Sequence, residues 1–316
     1  MDKKFGIAIH GGAGTILRTS ITAEKEQQYT KALHQALQLG YQILEKNGTA
    51  LDAVETAIRS LEDCPLFNAG KGAVFNNKGG HEMDASIMHG KDLMAGAVSL
   101  IKNVKNPISL CRAVMEKSEH VFLCGEGAEE FAKKMQLEFE KDDYFNDDFR
   151  YQQWQKAKLE VGTFLDHNIS TTTESNTDKK FGTVGAVALD TQGNLAAGTS
   201  TGGMTNKKYG RIGDSPIIGA GTYANNDTCA ISCTGHGELF IRSVVAYDIS
   251  ALMEYKGLSL KEACRIVVQE KLVKIGGEGG LIAIDKLGNI ELPFNSEGMY
   301  RAMKKSDGTE LVAIYK

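Results

Sequence analysis

The chain has 316 residues, and its 42% hydrophobic and 24% charged residues are ordinary for a globular protein with a sizeable core. A single layered α/β domain can reach this length. The net charge of −4, from 36 basic and 40 acidic residues, provides no cationic field for nucleic acid or an anionic membrane surface. We therefore expect neither of these as a partner.

The amino terminus and the cysteines predict a cytoplasmic protein. The apolar run after Lys4 is broken by His10 and glycines, so it is shorter than the roughly 7–15 residues of a secretory core. No stretch approaches the roughly 18 apolar residues of a transmembrane helix. The six cysteines form neither a CxxC nor a zinc-type pattern, and we expect buried, reduced thiols.

Strands and helices alternate in the pattern of the first half of the chain. Residues 5–10 predict a buried strand that ends in a glycine-rich turn at Gly11–Gly14. Thr22 is suited to cap a long helix that stops near Gly48, and Thr49 to cap a second helix that Pro65 terminates. Further strands are predicted at 85–88 and 95–101, and further helices at 107–117, 127–135 and 149–159.

The segment 166–182 has a different composition from the rest of the chain. Its sequence, DHNISTTTESNTDKKFG, is polar and rich in Ser and Thr, with little apolar surface to bury. Such a stretch is long for an ordered loop within a compact domain. We predict a flexible linker that starts near residue 160 and ends at residue 182.

Two hairpins of the same kind are predicted after the linker. The first joins Thr183–Leu189 to Leu195–Thr201 through residues 190–194, and the second joins 281–284 to 290–292 through residues 285–289. Helices are predicted between them at 239–255 and 259–273. This order of elements indicates an α/β fold in which sheets lie between helical layers.

The junction of linker and strand points to a chemical reaction of the chain on itself. If the bond between Gly182 and Thr183 breaks, Thr183 becomes an amino terminus whose α-amine has a pKa of about 7.7–8.0. That amine can accept the proton of the Thr183 hydroxyl and so activate a weak nucleophile. Gly182 tolerates the strained backbone that attack on its carbonyl requires.

Several long motifs, in the right order, resemble the plant-type asparaginase and isoaspartyl peptidase family of N-terminal nucleophile hydrolases. They are IAIHGGAG, LEDCPLFNAGKGAVFNNKGGHEMDAS, GTVGAVALDTQGNLAAGTSTGGMTNKKYGRIGDSPIIGAGTYANN and AISCTGHGELFIR. The resemblance covers nearly the whole chain apart from 140–182. It implies a four-layer αββα sandwich that forms one globular domain after cleavage. An α subunit of 1–182 and a β subunit of 183–316 would stay associated and pair into a dimer of heterodimers.

The resemblance also implies which residues carry out the reaction. Thr183 matches the family nucleophile, and Thr201 matches the threonine whose hydroxyl orients and polarises it. Thr234 and Gly235 match the oxyanion hole, to which one contributes a hydroxyl and the other a backbone N–H.

By the same resemblance, four further positions contact or support the substrate site. Arg211 matches the arginine that binds the substrate α-carboxylate through its planar fork. Asp214 and Gly237 match the groups that accept the α-ammonium. Asn68 matches an asparagine that supports the nucleophile end of the β subunit.

The resemblance implies no cofactor for catalysis but a structural sodium ion held by backbone carbonyls. The matching carbonyl groups are those of Leu61, Glu62, Cys64, Phe67, Ala69 and Lys71. The Lys71 ammonium would weaken cation binding if it pointed into this loop.

Three other features carry less weight. The HGGAG stretch lacks a GxGxxG or GK[ST] pattern, so a packing turn near the site is favoured over phosphate binding. His81, Glu82 and Asp84 do not have a common zinc spacing. His236 lies between two site glycines, where it either tunes the cavity or faces away.

Our main hypothesis is hydrolysis of L-asparagine and β-aspartyl dipeptides to release aspartate, by acyl transfer to Thr183. A glycosylasparaginase or a protein-cleaving enzyme of the same fold is the first alternative. The missing secretory signal and the absence of a long insertion argue against these two. The second alternative is an uncleaved scaffold that binds aspartyl ligands without catalysis.

Overall fold

The computed structural model describes residues 4–161 and 180–316, so the predicted linker lies outside the described residues except at its two ends. The helices are α1 (Ala23–Glu45), α2 (Ala50–Glu62), α3 (Pro107–Lys117), α4 (Gly125–Lys134), α5 (Asp142–Phe145), α6 (Asp148–Val161), α7 (Gly237–Ser243), α8 (Val245–Lys256), α9 (Leu260–Arg265) and α10 (Leu272–Lys274). The strands are β1 (Gly6–Gly14), β2 (Met83–His89), β3 (Ala95–Ile101), β4 (Phe122–Cys124), β5 (Lys180–Phe181), β6 (Thr183–Leu189), β7 (Leu195–Thr201), β8 (Thr222–Ala224), β9 (Cys229–Gly235), β10 (Gly279–Asp285), β11 (Ile290–Glu291), β12 (Gly298–Lys305) and β13 (Glu310–Tyr315).

Two β-sheets form the centre of the described structure. The larger has the order β13-β12-β1-β6-β7-β2-β3-β4, with the short β5 paired to β1, and the smaller has the order β11-β10-β9-β8. All neighbouring strands are antiparallel except β3 and β4. Strands β6 and β7 therefore lie in the middle of the larger sheet, each with a neighbour on its other side.

Alternation along β6 shows that the larger sheet is covered on both faces. Val184 and Ala186 belong to one apolar cluster and Val187 and Leu189 to another, because successive side chains point to opposite faces. The first cluster includes residues of helices α1, α2 and α3. The second cluster lies between the two sheets and includes Ile282 of β10. Thr183 is in register with the residues that face the smaller sheet.

Helices cover the outer face of each sheet. Helices α1, α2 and α3 contact the larger sheet, and α8 and α9 contact strands of the smaller one. In α1, Gly40 permits close approach to the sheet and to α2, because a Cβ there would lie 2.4 Å from Ile7 Cδ1 and 2.9 Å from the Ala53 carbonyl oxygen. No helix in residues 4–161 or 180–316 combines the length and apolarity needed to span a bilayer.

Several local predictions are confirmed. Thr22 and Thr49 are N-caps as predicted. The Thr22 side chain accepts from the Lys25 backbone N–H, and the Thr49 side chain accepts from the Asp52 backbone N–H. The first hairpin has the predicted bounds, and the second also forms. Its turn and that of the first are equivalent, since Asp190 and Asp285 each accept two backbone N–H bonds at 2.9 Å.

Three predictions are wrong, and one confirmed helix has an unpredicted irregularity. The glycine-rich turn at Gly11–Gly14 is strand, because β1 continues to Gly14 with only a register shift after His10. The helix at 239–255 is two helices, α7 and α8, because Val244 has a left-handed φ of 49°. The helix predicted at 259–273 is confirmed, but its middle is a π-helical segment, Ile266–Lys271. The last two linker residues before Gly182, at 180–181, pair with β1.

Other elements were not predicted at all. They are the short helix α5, the short strand β4 and the strands β8, β9, β12 and β13. Strand β9 is buried on both faces, so its sequence has no alternating pattern to detect. Four of the six cysteines are buried as predicted, but Cys64 is half-buried and Cys124 is exposed.

Candidate active site

The predicted nucleophile and its partner threonine lie side by side at the end of the first hairpin. Thr183 begins β6, Thr201 ends β7, and the two residues are paired across the strands. The Thr183 hydroxyl donates to the Thr201 hydroxyl oxygen at 3.2 Å, and that oxygen also accepts from the Gly203 N–H at 2.9 Å. These bonds hold the Thr183 Oγ1 in one orientation.

Asn68 packs against the residue that precedes the nucleophile. A Cβ on Gly182 would lie 2.8 Å from the Asn68 Cβ, so only glycine fits there without a shift. The Asn68 side chain accepts from the Val74 N–H at 3.0 Å and donates to the Gly203 carbonyl at 2.7 Å. It thus ties its loop to the backbone just after Thr201.

The two predicted oxyanion-hole residues end strand β9 of the smaller sheet. Thr234 is fully buried, and its hydroxyl oxygen accepts from the backbone N–H of Ala13 at 3.3 Å. Because this bond uses a lone pair, the Thr234 hydroxyl proton stays available to another acceptor. The HGGAG stretch therefore lies beside the candidate site.

One small cavity brings five predicted site residues together. Thr183, Thr201, Gly235, Arg211 and Asp214 all line it, and Gly182 forms part of its wall. Its volume of about 20 Å³ leaves room for roughly one water molecule. The cavity is therefore too small to hold an aspartyl group in the uncleaved chain.

The charged wall of this cavity contains an ion pair that the sequence did not predict. Arg211 donates from Nε and from one terminal nitrogen to the two carboxylate oxygens of Glu238, both at 2.8 Å. The guanidinium is thereby fixed in plane, and its remaining terminal nitrogen is not used by this pair. The His236 Nε2 lies 3.3 Å from the same carboxylate, so His236 contacts Glu238 at the rim of the site.

Asp214 is buried beside Arg211 without a complete set of partners. One carboxylate oxygen has no hydrogen-bond partner among the described residues. Desolvation raises the pKa of Asp214 to about 7, although the Arg211 charge acts in the opposite direction. Gly237 packs here because a Cβ would lie 2.8 Å from an Arg211 nitrogen and 2.9 Å from Asp214 Oδ1.

His10 is a site residue whose role the sequence did not indicate. Its Nδ1 lies 3.0 Å from the Thr183 carbonyl oxygen, which can only accept, so Nδ1 carries the proton. Its Nε2 then accepts from the Ser232 hydroxyl at 2.9 Å. Burial lowers the pKa of His10 to about 3, and the ring is neutral. Gly185 makes room, since a Cβ would lie 2.0 Å from Ser232 Oγ.

A chain of hydroxyl groups continues from Ser232 through the space between the sheets. Ser232 and Thr199 are 2.6 Å apart, and Thr222 donates to Thr199 at 2.6 Å. Ser86 lies 2.8 Å from the Thr222 hydroxyl and 2.6 Å from the Ser215 carbonyl oxygen. The backbone of Thr183 is thereby linked to the segment that carries Asp214.

The predicted sodium loop is tightly folded around two glycines. A Cβ on Gly70 would lie 2.5 Å from the Glu62 carbonyl oxygen, and one on Gly72 would lie 2.0 Å from the Phe67 carbonyl oxygen. The Lys71 ammonium lies 5.0 Å from the centre of the Tyr144 ring. In the described ranges, no three His, Cys, Asp or Glu side chains are grouped to bind a metal.

The sequence is similar to known proteins over nearly its whole length. The asparaginase family model matches residues 3–314, and the chain belongs to this family. It is 54% identical to the isoaspartyl peptidase of Escherichia coli (strain K12) over 310 aligned residues, with 98% of this chain and 96% of that protein covered. It is 44% identical to the probable isoaspartyl peptidase/L-asparaginase 2 of Arabidopsis thaliana, with 99% of both proteins covered. It is 41% identical to the mouse isoaspartyl peptidase/L-asparaginase, with 97% of this chain and 90% of that protein covered.

Proposed function

We propose that this protein is a self-cleaving threonine hydrolase that releases L-aspartate from isoaspartyl dipeptides and from L-asparagine. The observation that carries the proposal is the single cavity lined by Thr183, Arg211, Asp214 and Gly235. An aspartyl head group has one carboxylate and one ammonium, which suit a guanidinium and a carboxylate a few ångströms apart. The family and the names of the relatives support the same chemistry.

The reaction is acyl transfer in two steps. The Thr183 Oγ1 attacks the side-chain carbonyl carbon while the α-amine takes its proton and passes it to the leaving nitrogen. The Thr234 hydroxyl and the Gly235 N–H stabilise the oxyanion, while Arg211 and Asp214, beside Gly237, hold the aspartyl head group. Water then hydrolyses the Thr183 ester and releases aspartate. No cofactor takes part in this scheme.

Cleavage after Gly182 would give an α subunit of 1–182 and a β subunit of 183–316. Strands β1 and β2 of the first subunit pair with β6 and β7 of the second, so the backbone hydrogen bonds of one sheet hold the two together. Helices outside both sheets support the four-layer αββα arrangement. We infer a cytoplasmic protein that pairs into a dimer of αβ units.

We infer a structural sodium ion at the end of α2 and in the loop that follows it. The carbonyl groups of Leu61, Glu62, Cys64, Phe67, Ala69 and Lys71 would hold it. The Lys71 side chain packs on Tyr144, which supports the proposal because its ammonium is engaged there. The ion would stiffen the loop that carries Asn68, and it would take no part in the chemistry.

The proposal is tested with the Thr183→Ala variant and a small substrate panel. Intact-mass spectrometry of the wild-type protein should give two fragments that meet at Gly182 and Thr183, whereas the variant should stay whole and inactive. Thr191→Ala, in an exposed hairpin turn, is the matched control and should cleave normally. Rates on L-asparagine, a β-aspartyl dipeptide and glycosylasparagine decide the substrate. Full processing of Thr183→Ala would contradict the proposal, and a permanently single wild-type chain would favour the non-catalytic scaffold.

A further inference from the structure

Gly182 lines two cavities, not one. In addition to the cavity that contains the Thr183 hydroxyl, it lines a second cavity of about 30 Å³. The walls of the second cavity include Ile16, Tyr29, Phe67, Arg150 and Tyr300. Gly182 is therefore a shared wall, and its departure would join the two spaces at Thr183.

Arg150 gives the second cavity a buried positive charge. The residue is 7% exposed, and its terminal nitrogens donate to the Gln153 side chain at 3.2 Å and to the Leu66 carbonyl at 3.3 Å. Its buried Nε has no partner among the described residues. Asp147 accepts from the Arg150 backbone N–H, and no carboxylate in the described ranges forms a salt bridge with the guanidinium. A buried cation of this kind favours the arrival of an anion.

Aromatic rings form another part of the second cavity. The rings of Tyr29 and Tyr300 are stacked with their centres 4.3 Å apart, and Phe67 meets Tyr29 edge-on at 5.6 Å. The Tyr29 hydroxyl donates to the Leu66 carbonyl, the same oxygen that Arg150 uses. This wall suits an apolar side chain next to a carboxylate.

The chemistry of the reaction decides which group reaches this cavity. In the first step the Thr183 Oγ bonds to the aspartyl carbonyl carbon, the carbon–nitrogen bond breaks, and the hydroxyl proton reaches the leaving nitrogen through the α-amine. The leaving nitrogen must therefore lie beside the Thr183 nitrogen, which in the intact chain is bonded to Gly182. The leaving residue accordingly occupies the side that Gly182 vacates.

We propose that Arg150 binds the α-carboxylate of the residue released from a β-aspartyl dipeptide, with Tyr29 and Tyr300 packing against its side chain. This inference rests on the proposed function and specifies its leaving-group subsite. The subsite would favour dipeptides with apolar second residues over L-asparagine, which releases only ammonia and cannot contact Arg150.

The test compares β-aspartyl-leucine with β-aspartyl-leucinamide, which lacks the carboxylate, on the cleaved wild-type protein. We expect kcat/KM to be about tenfold or more higher for the acid, the range of a charge-assisted hydrogen bond. In Arg150→Met the acid and the amide should become nearly equal, and Arg150→Lys should restore part of the difference. Arg265→Met, at an exposed arginine paired with Glu270, is the control and should discriminate as the wild type does.

Each outcome separates this inference from the proposed function. A wild-type protein that hydrolyses neither L-asparagine nor the dipeptides refutes the proposed function itself. Equal kcat/KM for acid and amide in an otherwise active wild type overturns the subsite, and this comparison holds even if the Arg150 variants do not fold. Discrimination that persists in Arg150→Met also overturns it.

Discussion

The two walls of the active-site cavity are built by different means. The nucleophile wall comprises Thr183 and Thr201, which line the cavity, and the neighbouring Thr234 and His10, which do not line it. These groups are neutral and are held by backbone pairing and side-chain hydrogen bonds. The recognition wall comprises Arg211 and Asp214, which line the cavity, and Glu238, which pairs with Arg211 and has a side chain that is 44% exposed.

The hydroxyl groups and the neutral His10 ring keep their charge state near neutral pH, while charged groups attract a zwitterion. In the proposed mechanism, positioning and binding are therefore carried out by separate parts of the site. The nucleophile wall should therefore control kcat, and the recognition wall should control substrate affinity and the dependence of stability on pH.

The largest expected effect concerns Asp214. Its pKa is raised from 3.8 to about 7 in the folded chain, so the unfolded state ionises first and stability falls as pH rises through this range. One pKa unit corresponds to about 1.36 kcal/mol. The free energy of unfolding at pH values above 7 is therefore lower than at acidic pH by on the order of 4 kcal/mol. Asp214→Asn removes this loss.

Urea unfolding of Asp214→Asn is best measured in the uncleaved Thr183→Ala background, which keeps a single chain. The variant should gain stability relative to its parent as the pH rises from about 4 to about 8, a range that covers the pKa values of Asp214 in the unfolded and folded states. Because variant and parent are compared at each pH, the contributions of other titrating groups cancel. If the difference in free energy of unfolding between variant and parent stays constant over this pH range, the pKa of Asp214 is not raised by burial.

The next effect tests the nucleophile wall through Thr234→Val. The substitution keeps the shape of the side chain and removes the hydroxyl that we propose stabilises the oxyanion, so kcat should fall by about 10²–10³ with KM little changed. Thr228→Val is the matched control, because it removes a buried hydroxyl bonded to Ser250 and not to the cavity. A rise in KM with normal kcat would show that Thr234 contributes to substrate binding and not to oxyanion stabilisation.

A weaker effect is expected at His10, which we propose positions Thr183 without contacting the substrate. His10→Phe keeps the ring and removes both hydrogen bonds, so kcat should fall about tenfold, the equivalent of one lost hydrogen bond, while KM holds. Ser232→Ala breaks the same chain, and the double variant should be no slower than His10→Phe alone. Additive losses would indicate two independent structural defects.

The nucleophile hairpin could be predicted from the sequence because local chemistry determines it. The Asp-x-x-Gly-Asn turn and the apolar run on each side fix the pairing of Thr183 with Thr201 without any distant contact. The same holds for the helix caps at Thr22 and Thr49. The convergence of Arg211 and Asp214 on that hairpin came from the family resemblance and not from local pattern.

The parts that the sequence did not predict depend on contacts between distant segments. His10 and Ser232 are 222 positions apart and meet only because the two sheets stack. Glu238 lies 27 positions from Arg211 along the chain and contacts it from the short helix α7. Arg150 becomes notable only once its burial and its unpartnered nitrogen are known.

In the proposed mechanism, activity requires that the peptide bond between Gly182 and Thr183 be cleaved. Freshly folded protein can be sampled over time, with the cleaved fraction measured by intact mass and the rate of L-asparagine hydrolysis measured in the same samples. We predict that the rate rises from zero in proportion to the cleaved fraction. Hydrolysis at full rate by folded chains that are still whole would contradict the account.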